Sequence, residues 1–177
     1  YALYTNCEFY KSTDLDETTA AELVLNGDSA QFVNCTFGSL ADLLIGNIVR
    51  PCVELTKGIV GAGLVTRDCT FVNCQFWRQL AGTAGVFIRA AASADVERLL
   101  QLKGCSFIAA NLGSTPAVCI SLGATLTDGW ITLDPTCAGF NVTKIATGTG
   151  VLVSGAAPNS GTGIAEKNAL RQAKKPR

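Results

Sequence analysis

Hydrophobic and polar positions alternate in short runs along this chain, and the alternation resets at a recurring unit. TNCEFY, VNCTFG, RDCTFV and KGCSFI each hold a cysteine, one spacer and a phenylalanine, centred on Cys7, Cys35, Cys69 and Cys105. A degenerate fifth unit, TLTDGWIT, has Gly129 in the cysteine's place. Three residues before the cysteine stand Tyr4, Phe32, Thr66, Leu102 and Leu126, and two after it stand Phe9, Phe37, Phe71, Phe107 and Ile131. Both columns predict burial. Two residues before the cysteine, however, stand Thr5, Val33, Arg67, Lys103 and Thr127, which are mostly polar. In a continuous strand that position would share the cysteine's face, because side chains alternate with period two. The alternation therefore breaks between them, at Asn6, Asn34, Asp68, Gly104 and Asp128. These residue types tolerate left-handed backbone, which lets a strand turn within one residue. Each unit reads as two short strands joined at a corner, with an inward ladder of Cys7, Cys35, Cys69 and Cys105 followed by Phe9, Phe37, Phe71 and Phe107. In RDCTFVNCQF a second Cys-x-Phe follows the first, and Asn73 reads either as an extra corner or as the lead into the next loop.

A further strand repeats at a spacing of roughly 30–34 residues: ELVLNG, VELTKG, VFIRAA, CISLGA and VLVSGA. Its inward pairs are expected at Leu23/Leu25, Val53/Leu55, Val86/Ile88, Ile120/Leu122 and Val151/Val153. Three short strands per coil, repeated, predict an all-β solenoid.

The three-strand coil with its asparagine-type corner resembles the right-handed parallel β-helix of the pectin-lyase-like superfamily, which includes pectate lyases and bacteriophage tailspikes. The resemblance covers roughly residues 2–156 and rests on no catalytic motif. It implies a single-stranded right-handed parallel β-helix of about four to five coils, in which equivalent side chains stack into ladders. On this reading residues 1–156 are the β-helix and 157–177 a Gly/Ser/Pro linker with a basic tail. ADLLIGNIVRP, WRQLAGTAG and GSTPA become variable connections.

With 177 residues, 48% of them hydrophobic, the chain is long enough to bury a core of its own. Lys+Arg and Asp+Glu balance at 14 each, so no overall field favours nucleic acid or an anionic membrane. The C-terminus is locally basic, with Lys167, Arg171, Lys174, Lys175 and Arg177 forming a candidate contact tail for an acidic surface. No apolar run is long enough for a membrane helix, since Arg89 interrupts the best stretch, and no signal peptide is evident. The chain opens at Tyr1 and contains no methionine, which points to processing or an upstream segment.

There is no histidine, which removes the commonest general base and most zinc ligand sets. Cys69 and Cys74 lack the second cysteine pair that a zinc site needs. The eight cysteines do not read as a disulfide framework, since the chain has a core of its own, and Cys7, Cys35, Cys69 and Cys105 are read as an inward ladder of small hydrophobes. GAGLVT and GTGVLVSG match no phosphate-binding fingerprint. The carboxylates expected to face outward on the strands, Glu8, Glu22, Glu54 and Asp134, are scattered, and Asp14, Asp16 and Glu17 read as a solvated loop. No catalytic residue, metal site or cofactor is expected. Val24, Phe87 and Leu152 alternate with the inward residues of the ELVLNG-type strand, read as the first strand of the coil, and are expected to point outward and form an oligomer interface.

These features point to a non-enzymatic structural or attachment protein. The resemblance implies a homotrimeric virion component, such as a capsid decoration, fibre or spike protein, with a capsid or tail protein as a further partner. No nucleic acid or membrane contact is expected, and the location is the virion or otherwise an extracellular surface. Two alternatives use the same scaffold: a polysaccharide-binding or polysaccharide-degrading β-helix, and a cell-surface adhesin fragment.

Overall fold

A computed structural model describes residues 1–10, 21–27, 29–44, 51–56, 66–80, 86–90, 96–111, 117–123, 126, 128–140 and 142–146. Among the described residues there are fifteen strands and no helix. They form three five-stranded sheets, and every pairing is parallel. The first sheet contains β1 (Ala2–Thr5), β4 (Ala30–Val33), β7 (Thr66–Val72), β10 (Val96–Lys103) and β13 (Asp128–Leu133). The second holds β2 (Glu8–Phe9), β5 (Thr36–Leu44), β8 (Gln75–Leu80), β11 (Ser106–Asn111) and β14 (Ala138–Phe140). The third holds β3 (Leu23–Leu25), β6 (Val53–Leu55), β9 (Val86–Ala90), β12 (Ala117–Leu122) and β15 (Val142–Ala146). The chain thus visits the three sheets in fixed rotation for five rounds, and each strand pairs with its counterparts one round away. Stacked parallel sheets of this kind are compatible with a β-helix.

The junction between first and second sheets is a one-residue corner in left-handed conformation, with φ of 54° at Asn6, 54° at Asn34, 52° at Asn73 and 61° at Gly104. Inter-round bonding continues through it. Asn6 N donates to Val33 O, Asn34 N to Val72 O and Asn73 N to Lys103 O. Just beyond, Thr36 N donates to Cys7 O, Gln75 N to Cys35 O, Ser106 N to Cys74 O and Ala138 N to Cys105 O. These bonds set the cysteine column as Cys7, Cys35, Cys74, Cys105 and Cys137.

Cys69, expected in that column, lies elsewhere: it is opposite Leu100, which in turn is opposite Ile131. Asp68 belongs to a second left-handed corner at the entry to the first sheet, with φ of 49°, alongside Ser29 at 56° and Arg98 at 61°. Two left-handed residues therefore occur in each of these rounds, and in RDCTFVNCQF both of them, Asp68 and Asn73, precede a cysteine. Phe71 moves accordingly into the first sheet, in register with Phe32 and Leu102. Asp128 is not the fifth corner either. It pairs with Glu97, and the fifth round turns at Asp134–Thr136, where Cys137 N donates to Asp134 O. Gly129 is needed for close approach, because a Cβ there would lie 2.8 Å from Val96 O and 2.9 Å from Arg98 N, beside the bulge between Glu97 and Leu100.

Two aromatic columns fill the interior. Tyr4, Phe32 and Phe71 stack with centroids 4.9 Å apart. Phe9, Phe37, Phe76 and Phe107 stack at 4.8–5.1 Å. Edge-to-face contacts of 5.4–5.8 Å knit the columns together at Phe9–Phe32, Phe32–Phe37, Phe37–Phe71 and Phe71–Phe76. Parallel register places identical rings one above another at nearly the strand spacing, which is the offset-stacking distance that aromatic pairs favour.

In the third sheet the inward columns are Leu23–Val53–Ile88–Ile120 and Leu25–Leu55–Ala90–Leu122. The expected Val86/Ile88 pair is therefore displaced by two residues, because β9 starts earlier than β6 and Val86 lies opposite Val118. Phe87, expected outward, is fully buried, and its ring packs edge-to-face on Phe107 at 5.5 Å. Val86, Phe87 and Ile88 are consecutive buried residues, so burial in this strand does not follow a simple period-two alternation. Val24 is exposed. Leu152 and the pair Val151/Val153 lie outside the described residues. The fifth-round position in this sheet is held by β15.

Candidate functional site

The most unusual polar arrangement lies in the core between the second and third sheets. Phe76 and Arg78 share a face of β8, so Arg78 is directed inward after the phenylalanine, and its side chain is 1% exposed. It meets Glu22, 0% exposed, just before β3. Nη1 donates to Oε1 at 2.6 Å and Nη2 to Oε2 at 2.5 Å, a two-pronged fork that suits guanidinium and carboxylate geometry.

The partners are two rounds apart, and the intervening round makes room. Leu23 N donates to Cys52 O, which aligns small Cys52 with Glu22. The register of β5 against β8 shifts between Ser39 and Leu43, opposite Arg78 and Gln79. Gly38 (φ 83°) lies where a Cβ would come 2.2 Å from Trp77 O and 3.1 Å from Cys52 Sγ. Both carboxylate oxygens of Glu22 are engaged. The pair is consequently a lock between rounds rather than an acid or base presented to solvent. Inward arginine after Phe76 in QFWRQL was the sequence signal for it, and period-two counting reaches it.

Other ion pairs also join successive rounds. At the entry to the first sheet Arg67 Nη2 lies 2.8 Å from Glu97 Oε2, and Arg98 Nη2 lies 2.7 Å from Asp68 Oδ2. The charges are inverted across the two rounds, so a slipped register would set like charges together. On the third sheet Arg89 Nε lies 2.7 Å from Glu54 Oε2. Of the carboxylates expected outward, Glu22 is instead buried, because Arg78 inside the core engages both of its oxygens, and Glu54 is paired. Glu8 is exposed on the second sheet, and Asp134 accepts Thr136 N at 2.6 Å in the fifth-round turn. The structure does not bring these four together. Among the described residues no group of three or more Cys, Asp or Glu is arranged to hold a metal ion, and no helix is long and apolar enough to cross a membrane. Asp14, Asp16, Glu17 and the basic tail from Lys167 to Arg177 lie outside the described residues.

The cysteines all carry thiols. In the corner column each sulfur lies against carbonyl oxygens: Cys35 donates to Tyr4 O at 3.5 Å, Cys74 to Phe32 O at 3.4 Å, Cys105 to Phe71 O at 3.5 Å and Cys137 to Leu102 O at 3.5 Å. A thiol in the core is both a small apolar filler and a weak donor. Burial pushes the Cys119 thiol well above its ordinary range. Cys105 is also raised, through hydrogen bonding with the Cys137 and Cys74 thiols and then through burial. Neutral, buried thiols are poor nucleophiles.

Among the described residues the exposed large hydrophobics are Tyr1, Leu3, Tyr4, Tyr10 and Val24, all in the first round. No family model matches the chain, and neither a curated protein nor a solved structure is significantly similar to it.

Proposed function

We propose that this chain is a right-handed parallel β-helix of the pectin-lyase-like type, serving as a structural or attachment element of a virion: a capsid decoration, fibre or spike component that works as a homotrimer. The observation that carries this reading is the unbroken interior. Corner cysteines recur in all five rounds, and four phenylalanines of the second sheet stack at 4.8–5.1 Å. Side chains that repeat along one axis produce a stiff shaft, because each round is held to its neighbours along the strands of all three sheets. The inter-round ion pairs add register to stiffness. A shaft of this build serves to hold a binding surface at a distance, and three parallel copies resist bending better than one.

Sedimentation velocity on the full chain at micromolar concentration is the direct test. A species of three times the chain mass is the expected result. A strictly monomeric protein would overturn the homotrimer and, with it, the spike or fibre reading.

A further inference from the structure

The corner column sets Cys7, Cys35, Cys74, Cys105 and Cys137 one per round, and Cys52, Cys69 and Cys119 lie in the same core. These thiol hydrogens have places in the fold. Besides the column bonds, Cys52 donates to Phe37 O and Trp77 O at 3.6 Å, and Cys69 to Arg67 O at 3.4 Å. Side chains of an in-register parallel column leave their strands side by side, about 4.8 Å apart. A disulfide instead needs facing Cβ vectors about 3.5–4.5 Å apart and a dihedral near a right angle. Bridging two rungs would displace backbone that inter-round bonds hold on both sides, at Thr36–Cys7, Gln75–Cys35, Ser106–Cys74 and Ala138–Cys105.

In the unfolded chain no such bonds restrain the thiols. Cys69 and Cys74 are near neighbours in sequence. The longer separations between rungs add little closure cost, because that cost grows only with the logarithm of loop length.

We propose that this chain attains its fold only while its cysteines are reduced, so that folding is completed in a thiol-reducing compartment and an oxidising one diverts it. In the diverting step two chain thiols give up their protons and two electrons, an S–S bond forms between them, and a low-molecular-weight disulfide such as glutathione disulfide is reduced to two thiols. The bridged chain then cannot bring both cysteines to their separate rungs. Once folded, the column is closed to this exchange except at Cys7, whose residue is half-buried in the first round. Exchange requires both a thiolate and access, and the inner rungs offer no access. The inference concerns how the chain folds and does not depend on the virion reading.

The test uses cell-free synthesis of the full chain in two mixtures that differ only in containing reduced glutathione or glutathione disulfide. Protease-resistant, β-rich protein is expected in several-fold greater yield from the reduced mixture. A thiol reagent is expected to label Cys7 in the folded protein, and all eight cysteines after denaturation. Equal folded yield from the two mixtures would overturn the proposal. So would folded protein that shows a native disulfide when denatured without reductant.

Discussion

Arg78 and Glu22, 56 residues apart in sequence, meet inside the core with their two donors and two acceptors matched at 2.6 and 2.5 Å. The pair ties the third round to the first across a round that Gly38 and Cys52 have thinned. Desolvating two charges offsets much of their attraction, but removing one partner strands the other. Arg78→Ala or Glu22→Ala is therefore expected to lower stability by about 3–5 kcal/mol. The double replacement Glu22→Leu/Arg78→Met should recover most of it. Urea midpoints of the four proteins check this, and a double variant no better than the singles would refute the account.

The second-sheet aromatic column makes a graded prediction. Phe76 is fully buried and stacks on both Phe37 and Phe107, whereas half-buried Phe9 stacks on Phe37 alone. Phe76→Ala is expected to cost about 3–5 kcal/mol. Phe9→Ala should cost clearly less. Denaturant unfolding followed by circular dichroism separates the two.

At the corner, Gly104 has φ of 61°, and a Cβ there would lie 2.4 Å from Asn73 Oδ1. Gly104→Ala brings a left-handed penalty of about 1–2 kcal/mol, with the contact added to it. In an Asn73→Gly background the contact is gone and only the backbone penalty remains. The substitution should thus be milder there, measured as a difference in melting temperature between the two backgrounds.

Cys119 supplies a pH dependence whose sign is fixed. Its folded-state pKa is raised above the ordinary 9.0 by burial, so above that pH the unfolded chain releases a proton that the folded one retains. Stability from this group is full below pH 9.0 and falls as pH rises beyond it. The urea midpoint should fall more steeply between neutral and alkaline pH for the parent protein than for Cys119→Ala. Equal slopes would contradict it.

The surface pairs should behave differently. A double-mutant cycle on Arg67 and Glu97 is expected to give a coupling of about 0.2–1 kcal/mol. It should fade in high salt, which screens exposed charges.

Much of this architecture was legible in the chain because it is written in local terms. Asn6, Asn34 and Gly104 announce corners through residue types suited to left-handed backbone, and Phe9, Phe37 and Phe107 follow at the spacing that returns them inward. Phe87 was not legible. Period-two counting from Val86 sends it outward, but its ring is buried and packs edge-to-face on Phe107, a contact between sheets that no local pattern encodes. The fifth round was misaligned because Cys137 follows a longer turn and its partner position is Gly139 rather than phenylalanine.

In residues 67–76 the limit of the sequence is clearest. Asp68-Cys69 and Asn73-Cys74 present the same local preference, a left-handed residue followed by a small inward one, and both do form corners. The sequence by itself determined that strands bend here and that cysteine and phenylalanine point inward after the bend. Only the tertiary structure decided that Cys74, not Cys69, continues the column of Cys35 and Cys105, because register is set by Gln75 N to Cys35 O and Ser106 N to Cys74 O. Left-handed propensity is a property of one residue, whereas register is a property of two rounds in contact. For the same reason no local pattern could say which carboxylate Arg78 would meet.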